Sequence, residues 1–339
     1  MLDTMELHNL LIIDGSYFLH RNLKQTNLWE MRNSSLERTG GIYGFLNTLQ
    51  KEIKINENYF PIVCWDDGQS NRRLALYDNY KKHREHLEDP ERKPFNLMTK
   101  DELDEDYVYN YKLQRKKLIE ILNSFGIPSL LFKHTEGDDL MYWLSKHCKK
   151  SRVLTDDRDL LQLMSENCKV RQPMKNVSVN LDEFLKENNF SSIEDFVRVK
   201  ALLGDGSDNI PSACFRVGEK TAMECLNVYY HLKENNMINI LNNVDELKVY
   251  CKNHDLPFKT AFANFNEQQY LTNLELVDLK RIKDDEIDEE GIYEKIRSVY
   301  KNKNVKIPLE LLSRYEIKTV NTNIIFEALV LTRHNIKDK

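Results

Sequence analysis

Short, mainly apolar runs recur along the chain, separated by segments of helical period. LLIID at 10–14, FPIVCW at 60–65, PSLLF at 128–132 and RVLT at 152–155 have the length and composition of buried strands. Between them the period becomes helical, over Tyr43–Lys54 and over Asp106–Phe125, where Tyr107, Tyr111, Leu118, Leu122 and Phe125 recur at helical spacing. Strands alternating with helices predict an α/β fold with a parallel-rich central sheet flanked by helices. From about residue 181 the chain becomes mainly helical (DEFLKENN, IEDFVRVKALLG, KTAMECLNVYYHLKE). The expected division is an α/β domain over 1–180 and a helical domain over 181–339, with no Pro/Gly/Ser-rich linker between them.

The polar residues that follow the apolar runs share a sign. LLIID ends on Asp14, FPIVCW leads into Asp66 and Asp67, PSLLF leads to TEGDD, and RVLT leads to Asp157 and Asp159. In doubly wound sheets ligands collect at the carboxyl ends of the strands. TEGDD crowds Glu136, Asp138 and Asp139 at the start of an apolar helix. Like charges there repel by about 0.2–0.5 kcal/mol per exposed pair, and by more as water is excluded. Helix capping by Thr135 and the helix dipole account for one or two of these acids; the third calls for a cation. A further acidic segment, LLGDGSDNIP, carries Asp205 and Asp208 in a Gly-rich turn. Taken singly, each segment reads equally as a turn or a helix start. Together, Asp14, Asp66, Glu136, Asp138, Asp157, Asp159 and Asp208 are hard oxygen donors suited to magnesium or manganese. Two such ions about 4 Å apart would clamp the attacking and leaving oxygens of a phosphoryl displacement.

Charge changes the picture once those acids are set aside. The chain of 339 residues carries a net charge of −5, which argues against a nucleic-acid partner. Assigning seven of its 54 carboxylates to a metal site turns the balance against 49 Lys and Arg to +2. The bases are also grouped. NRRLALYDNYKKHRE holds Arg72, Arg73, Lys81, Lys82, His83 and Arg84 with Tyr77 and Tyr80 interleaved, and KLQRKK at 112–117 adds four more. Basic residues with aromatics suit a phosphate backbone and stacked bases; a solvated helix face is the alternative for both clusters.

Other chemistries are excluded. No apolar run approaches a membrane span, and MLDTMELHNLLIIDG lacks the basic start and cleavage site of a secretory leader. Six scattered cysteines without a CxxC pair predict reduced thiols, no zinc and a cytoplasmic setting. VGEKTA fails as a phosphate loop because Glu219 stands where glycine is required before the lysine. DDEIDEEG at 284–291 lacks the glycine and the final glutamate of a calcium loop.

In their order these segments resemble the motifs of the 5′ nucleases, the family of flap endonucleases and 5′-3′ exonucleases. LLIIDGS resembles the family's first motif. CWDDGQSNRRLALYDNYKKHR resembles its acid, following Arg and YK–x–x–R pattern, carried here by Asp66, Arg73, Tyr80, Lys81 and Arg84. TEGDD resembles E-A-D-D, and LTDDRDLLQL resembles T-x-D-x-D-L-x-Q-L with Asp156 as an extra acid. ALLGDGSDNIP resembles G-D-x-S-D-N-I-P, and VGEKTA the end of G-I-G-x-K-T-A. The resemblance covers roughly residues 10–225 and continues more weakly to the C-terminus. There YLTNLELVDLKRI and IRSVYK are similar to the phage ribonuclease H branch of the family.

The resemblance implies a PIN-like nuclease fold and a magnesium-dependent enzyme, with manganese as a substitute ion. One ion would be held by Asp14, Asp66, Glu136 and Asp138, and the other by Asp157, Asp159 and Asp208, with Asp139 and Asp205 in supporting or water-mediated roles. It implies a helical arch at about 78–112 over a single strand, with Lys81 and Arg84 neutralising the scissile phosphate and Arg72, Arg73, Tyr80 and Lys82 lining nucleic acid. Residues 201–222 resemble a helix–three-turn–helix element that grips duplex through Gly218 and Lys220. Arg216-Val217-Gly218 departs from G-I-G, which counts against the potassium ion many relatives hold there. The implied activity is 5′-to-3′ exonuclease and flap endonuclease on branched DNA and RNA/DNA duplexes, including removal of RNA primers. A monomer in the cytoplasm (the host cell's, for a phage protein) is expected. A sliding clamp or single-stranded-DNA-binding protein would be a partner, and MLDTMEL is a candidate docking segment. The rivals are a non-catalytic binder of branched nucleic acid, which gains nothing from acids facing phosphate, and a PIN-type ribonuclease, which would lack the 201–222 segment.

Overall fold

The computed structural model describes residues 5–82, 100–301, 307–317 and 320–338. Arg84 and residues 83–99 of the expected arch lie outside them. The described residues fall into two compact units, one of residues 5–69, 100–179 and 283–338, the other of 70–82 and 180–282.

The first unit is built on a sheet whose centre is β1 (Met5–Asp14). β2 (Phe60–Cys64) and β3 (Ser129–Leu130) lie in succession on one side of it. β4 (Cys148–Leu154), β5 (Cys168–Gln172) and β6 (Val177–Ser178) lie on the other. Strands β1 to β5 are parallel, with Asp14 beside Cys64 and Ile13 beside Leu154 in register. Because the chain winds outward on one side and returns to the other, the order switches direction at β1, and sheets of this kind bind ligands at the carboxyl ends beside such a switch. Leu10, Leu11 and Ile12 are wholly buried. That explains the uninterrupted apolar run, since a central parallel strand has no solvent face.

Helices cover the sheet by the same logic. Helix Gly40–Ile55 turns Ile42, Phe45, Leu46, Leu49 and Ile53 inward. Each such buried side chain contributes about 1.5–3 kcal/mol of transfer free energy. Helix Gly137–His147 buries Leu140, Met141, Trp143 and Leu144 and passes at once into β4. Gly15 is required at the end of β1, because a Cβ there would sit 2.7 Å from the Trp65 ring and from Val63.

Several expectations need correction. β5, β6 and the antiparallel β7 (Ile336–Asp338) have no counterpart among the expected strands. The segment after β4 forms a 3-10 turn, Asp159–Leu163. Residues 283–338 belong with the sheet rather than with 181–282, because β7 pairs with β1 and helix Thr322–Thr332 packs on helix Gly40–Ile55. Met5, Glu6 and Leu7 are paired in the sheet to Asp338, Lys337 and Ile336, so they are not a free docking segment; residues 1–4 lie outside the description.

The second unit is helical. Ser70 caps helix Asn71–Leu76 by accepting from the Arg73 N–H. Helices Ile193–Leu203 and Glu219–Glu234 are joined by a segment holding a 3-10 turn at Gly206–Asp208. Gly204, at φ +73°, turns the chain out of the first of these helices, where a Cβ would meet the Ile210 carbonyl. Asn273, wholly buried on helix Glu267–Val277, fastens this turn by donating to the carbonyls of Ala201 and Pro211. Among the described residues no helix is long and apolar enough to cross a membrane.

Candidate active site

The carboxyl ends of β1, β2 and β4 bring acids together in the first unit. Asp14 ends β1 and is 7% exposed. Its carboxylate accepts from the Tyr17 N–H at 2.9 Å and from the Thr155 hydroxyl at 2.8 Å. Thr155 Oγ1 in turn accepts from the Asp157 N–H at 3.0 Å, and the Asp157 carboxylate accepts from the Asp159 N–H at 2.9 Å. One hydrogen-bonded chain therefore runs from Asp14 to the acids after β4.

Asp66 is reached from the other side. Its carboxylate accepts from the Gly137 N–H at 2.6 Å, at the start of the acidic helix. Glu136, 2% exposed, is the residue before that helix, and Asp138 and Asp139 occupy its first turn. Burial, then the Asp66 charge, pushes the Asp14 carboxyl up to about 8; the Tyr17 and Thr155 hydrogen bonds pull against this and Asp157 adds to it. The Cys64 thiol beneath is pushed up by burial and then by Asp14, Asp66 and Asp138.

These residues fit a hard divalent cation. A buried carboxylate that its acidic neighbours oppose is stabilised in its charged form by a nearby cation. Among the described residues, no three His, Cys, Asp or Glu side chains already meet as a metal cage. Five N–H and O–H donors nevertheless fix the Asp14, Asp66 and Asp157 carboxylates and the turn from Thr155 to Asp159. Asp156, the extra acid, accepts instead from the Met174 N–H.

Asp205 and Asp208 lie in the second unit. Burial pushes the Asp205 carboxyl up, but Ser207 and the Lys200 ammonium at 3.1 Å outweigh it and hold it below the usual range. Asp205 also accepts from the Ser207 N–H and hydroxyl, so it shapes its own turn. The Lys81 ammonium stands 3.6 Å from the Asp208 carboxylate, and the Tyr80 hydroxyl donates to the same group at 3.3 Å. The Lys81 N–H donates to the Asp208 carbonyl, with Lys81 at φ +50°.

The basic-aromatic segment is less exposed than its composition implies. Arg73, expected to line nucleic acid, is 3% exposed and its Nε donates to the Leu276 carbonyl. Arg72 donates to the Glu275 carbonyl, and Tyr80 is buried. The Arg72 and Arg73 guanidinium groups hold the segment to helix Glu267–Val277, whereas Lys82, Gly218 and Lys220 are exposed. In the second cluster Lys117 pairs with Glu37 at 2.9 Å, and Arg115 bonds the Asp66 carbonyl and the Asp67 carboxylate. Ser16, Tyr111 and Thr155 were not foreseen as site residues, and Arg115 only as part of a basic cluster. The signal for two of them was present, as Tyr111 and Arg115 stand four apart on one helix.

A parallel sheet with acids at its carboxyl edge defines an α/β protein, and comparison with known proteins gives its family. The 5′-3′ exonuclease, N-terminal resolvase-like domain matches residues 9–190, more than half of the chain. The 5′-3′ exonuclease of Buchnera aphidicola subsp. Acyrthosiphon pisum (strain APS) is 30% identical over 257 residues, covering 74% of this chain and 78% of its own. That of Aquifex aeolicus (strain VF5) is 29% identical over 313 residues, covering 91% and 94%. The chain belongs to the 5′-3′ exonuclease family. Its fold is shared with a bacteriophage T5 flap endonuclease solved with DNA and metal ions, at a TM-score of 0.59 and 20% identity over 87% of this chain and 98% of that one.

Proposed function

We propose that the protein hydrolyses phosphodiester bonds near the 5′ ends of branched DNA and RNA/DNA duplexes, as a divalent-metal-dependent 5′-to-3′ exonuclease and flap endonuclease. The observation that carries this reading is the buried Asp14 carboxylate, opposed by Asp66 and Asp157 yet held by two fixed donors. Asp14, Asp66, Glu136, Asp138, Asp157 and Asp159 would hold magnesium, or manganese in its place, which supplies positive charge to the phosphate and lowers the pKa of water.

The chain's own residues set the geometry. Tyr17 and Thr155 hold Asp14, Gly137 holds Asp66, and the Asp159 N–H holds Asp157. The Lys81 ammonium offers charge to a phosphate oxygen as negative charge develops in the transition state. Gly218 and Lys220, exposed at the start of helix Glu219–Glu234, would meet the phosphates of the duplex. Water attacks phosphorus and the 3′ oxygen of the neighbouring nucleotide leaves, so the product carries a 5′-phosphate. Because water is the nucleophile, no 2′-hydroxyl is needed, and RNA primers are substrates as well as DNA flaps. The T5 relative, solved with DNA and metal ions, supports this reading.

The test is a 5′-labelled flap incubated with the protein and magnesium, then with EDTA. Cleavage that requires magnesium and leaves 5′-phosphate ends is expected, and an RNA-primed duplex should be shortened from its 5′ end. Tight binding without cleavage in magnesium would overturn the proposal in favour of a binding protein.

A further inference from the structure

We infer that one face of helix Lys100–Phe125, bearing Tyr107, Tyr111 and Arg115, positions Asp66 for cation binding. The inference rests on the reading of Asp66 as a metal ligand. The three residues recur every fourth position and therefore share a face. The Tyr111 hydroxyl donates to Ser16 Oγ at 3.2 Å, and the same oxygen accepts from the Asp66 N–H at 2.9 Å. Arg115 Nη1 donates to the Asp66 carbonyl, while Nη2 reaches the Asp67 carboxylate at 3.2 Å. Both backbone polar groups of Asp66 are thus tied to this helix, one through Ser16 and one directly. Only its carboxylate turns away, to the Gly137 N–H.

The restraint on Ser16 is unusually complete. A hydroxyl accepts twice and donates once. With both accepting positions filled by Tyr111 and Asp66, the Ser16 oxygen has no freedom to rotate without losing a bond. Tyr111 is itself held, since the His20 ring stacks on it at 3.9 Å and 7°. His20 is fixed in turn by the Tyr107 hydroxyl, 2.7 Å from Nδ1. The Arg115 guanidinium lies 5.7 Å from the Tyr111 ring centroid. Packing alone would require the rings but not the hydroxyl on Tyr111. A metal site demands ligand placement within about 0.2 Å, which is what a doubly anchored peptide provides. Tyr111 and Ser16 are therefore positioning residues.

The experiment is a titration with manganese alone, read by electron paramagnetic resonance, on the full chain and on Tyr111→Phe, Ser16→Ala, the double variant and Arg115→Lys. Melting in EDTA is recorded for each. Tyr111→Phe keeps the ring and the His20 stack, so its melting should stay within a few degrees of the parent. Its manganese affinity should fall about tenfold, the scale seen when groups that orient ligands are removed. Ser16→Ala should fall by as much, and the double variant no further, because Tyr111 acts through Ser16. Arg115→Lys, which loses the planar donor pair, should weaken binding independently. Unchanged affinity in Tyr111→Phe and Arg115→Lys, or full additivity of Tyr111→Phe with Ser16→Ala, would overturn the inference while leaving the cation site standing. A parent protein that binds no manganese would instead remove the cation site itself, and the positioning role with it.

Discussion

The Thr155 hydroxyl donates to the Asp14 carboxylate at 2.8 Å, joining the residue that follows β4 to the last residue of β1. Thr155 is wholly buried, and its oxygen also accepts from the Asp157 N–H. Thr155→Val preserves shape and removes both bonds. Leaving the buried Asp14 carboxylate without this donor costs about 1–3 kcal/mol, and the half-buried Asp157 N–H adds less. Urea unfolding in EDTA should show a loss on that scale, and cleavage should fall further than stability does, because acids on both strands lose their register. An unaltered cleavage rate would show that this threonine does not organise the site.

The pH dependence of the metal-free protein follows from Asp14. Its carboxyl is raised from 3.8 to about 8, by burial first and Asp66 second. Between those values the folded chain holds a proton that the unfolded chain has released. Stability in EDTA therefore falls as pH rises through this window, and is fully present only below its lower end. A divalent cation favours the ionised form, so its stabilising effect grows in the same direction. Melting temperatures at pH 5 and pH 8, with EDTA and with manganese, should show this crossing pattern. Asp14→Asn should flatten the EDTA profile; an identical slope in that variant would assign the dependence elsewhere.

How much of this was legible in the sequence depended on whether a residue's role is set by its neighbours in the chain. β2 and the second half of β1 were visible because burial on both faces leaves an unbroken apolar signature, whereas β4 showed only its carboxyl end, since Lys149 and Lys150 are exposed. β5, CKVRQ, mixes polar and apolar residues, and β7 is three residues at the far end of the chain, fixed by pairing with β1. Asp14, Asp66, Asp157 and Asp159 were legible because they end or closely follow a strand. The basic segment was not, since Arg73 and Tyr80 look alike in sequence whether they face phosphate or the Leu276 carbonyl. Ser16 lies inside LLIIDGS, but its meaning depends on Tyr111, 95 residues away.

Away from the acids, Glu52 and Arg171 form a buried ion pair, both 5% exposed, with Arg171 Nε and Nη2 each bonded to the carboxylate. Asn176 accepts a further Arg171 bond at 2.7 Å. Removing one partner strands a buried charge, which costs about 3–5 kcal/mol, whereas replacing both with apolar residues of similar volume is often near neutral. Glu52→Ala should therefore unfold at markedly lower urea, and Glu52→Leu combined with Arg171→Met should recover most of the loss. A double variant as unstable as the single one would mean that the pair stabilises the fold beyond compensating itself.

Lys81 poses two separable demands, one on charge and one on backbone. Its ammonium lies 3.6 Å from Asp208, and its φ of +50° is one that L-residues other than Asn and Asp rarely adopt. Alanine removes the charge and keeps the backbone cost, whereas glycine removes the charge and relieves that cost, by about 1 kcal/mol. If the ammonium stabilises developing phosphate charge, Lys81→Ala and Lys81→Gly should lose cleavage equally, on the order of a hundredfold. Binding to a flap should change little in either. The glycine variant should be at least as stable as the alanine variant in urea. Activity that follows stability across the two, with glycine restoring cleavage, would show that the residue matters for its turn and not for its charge.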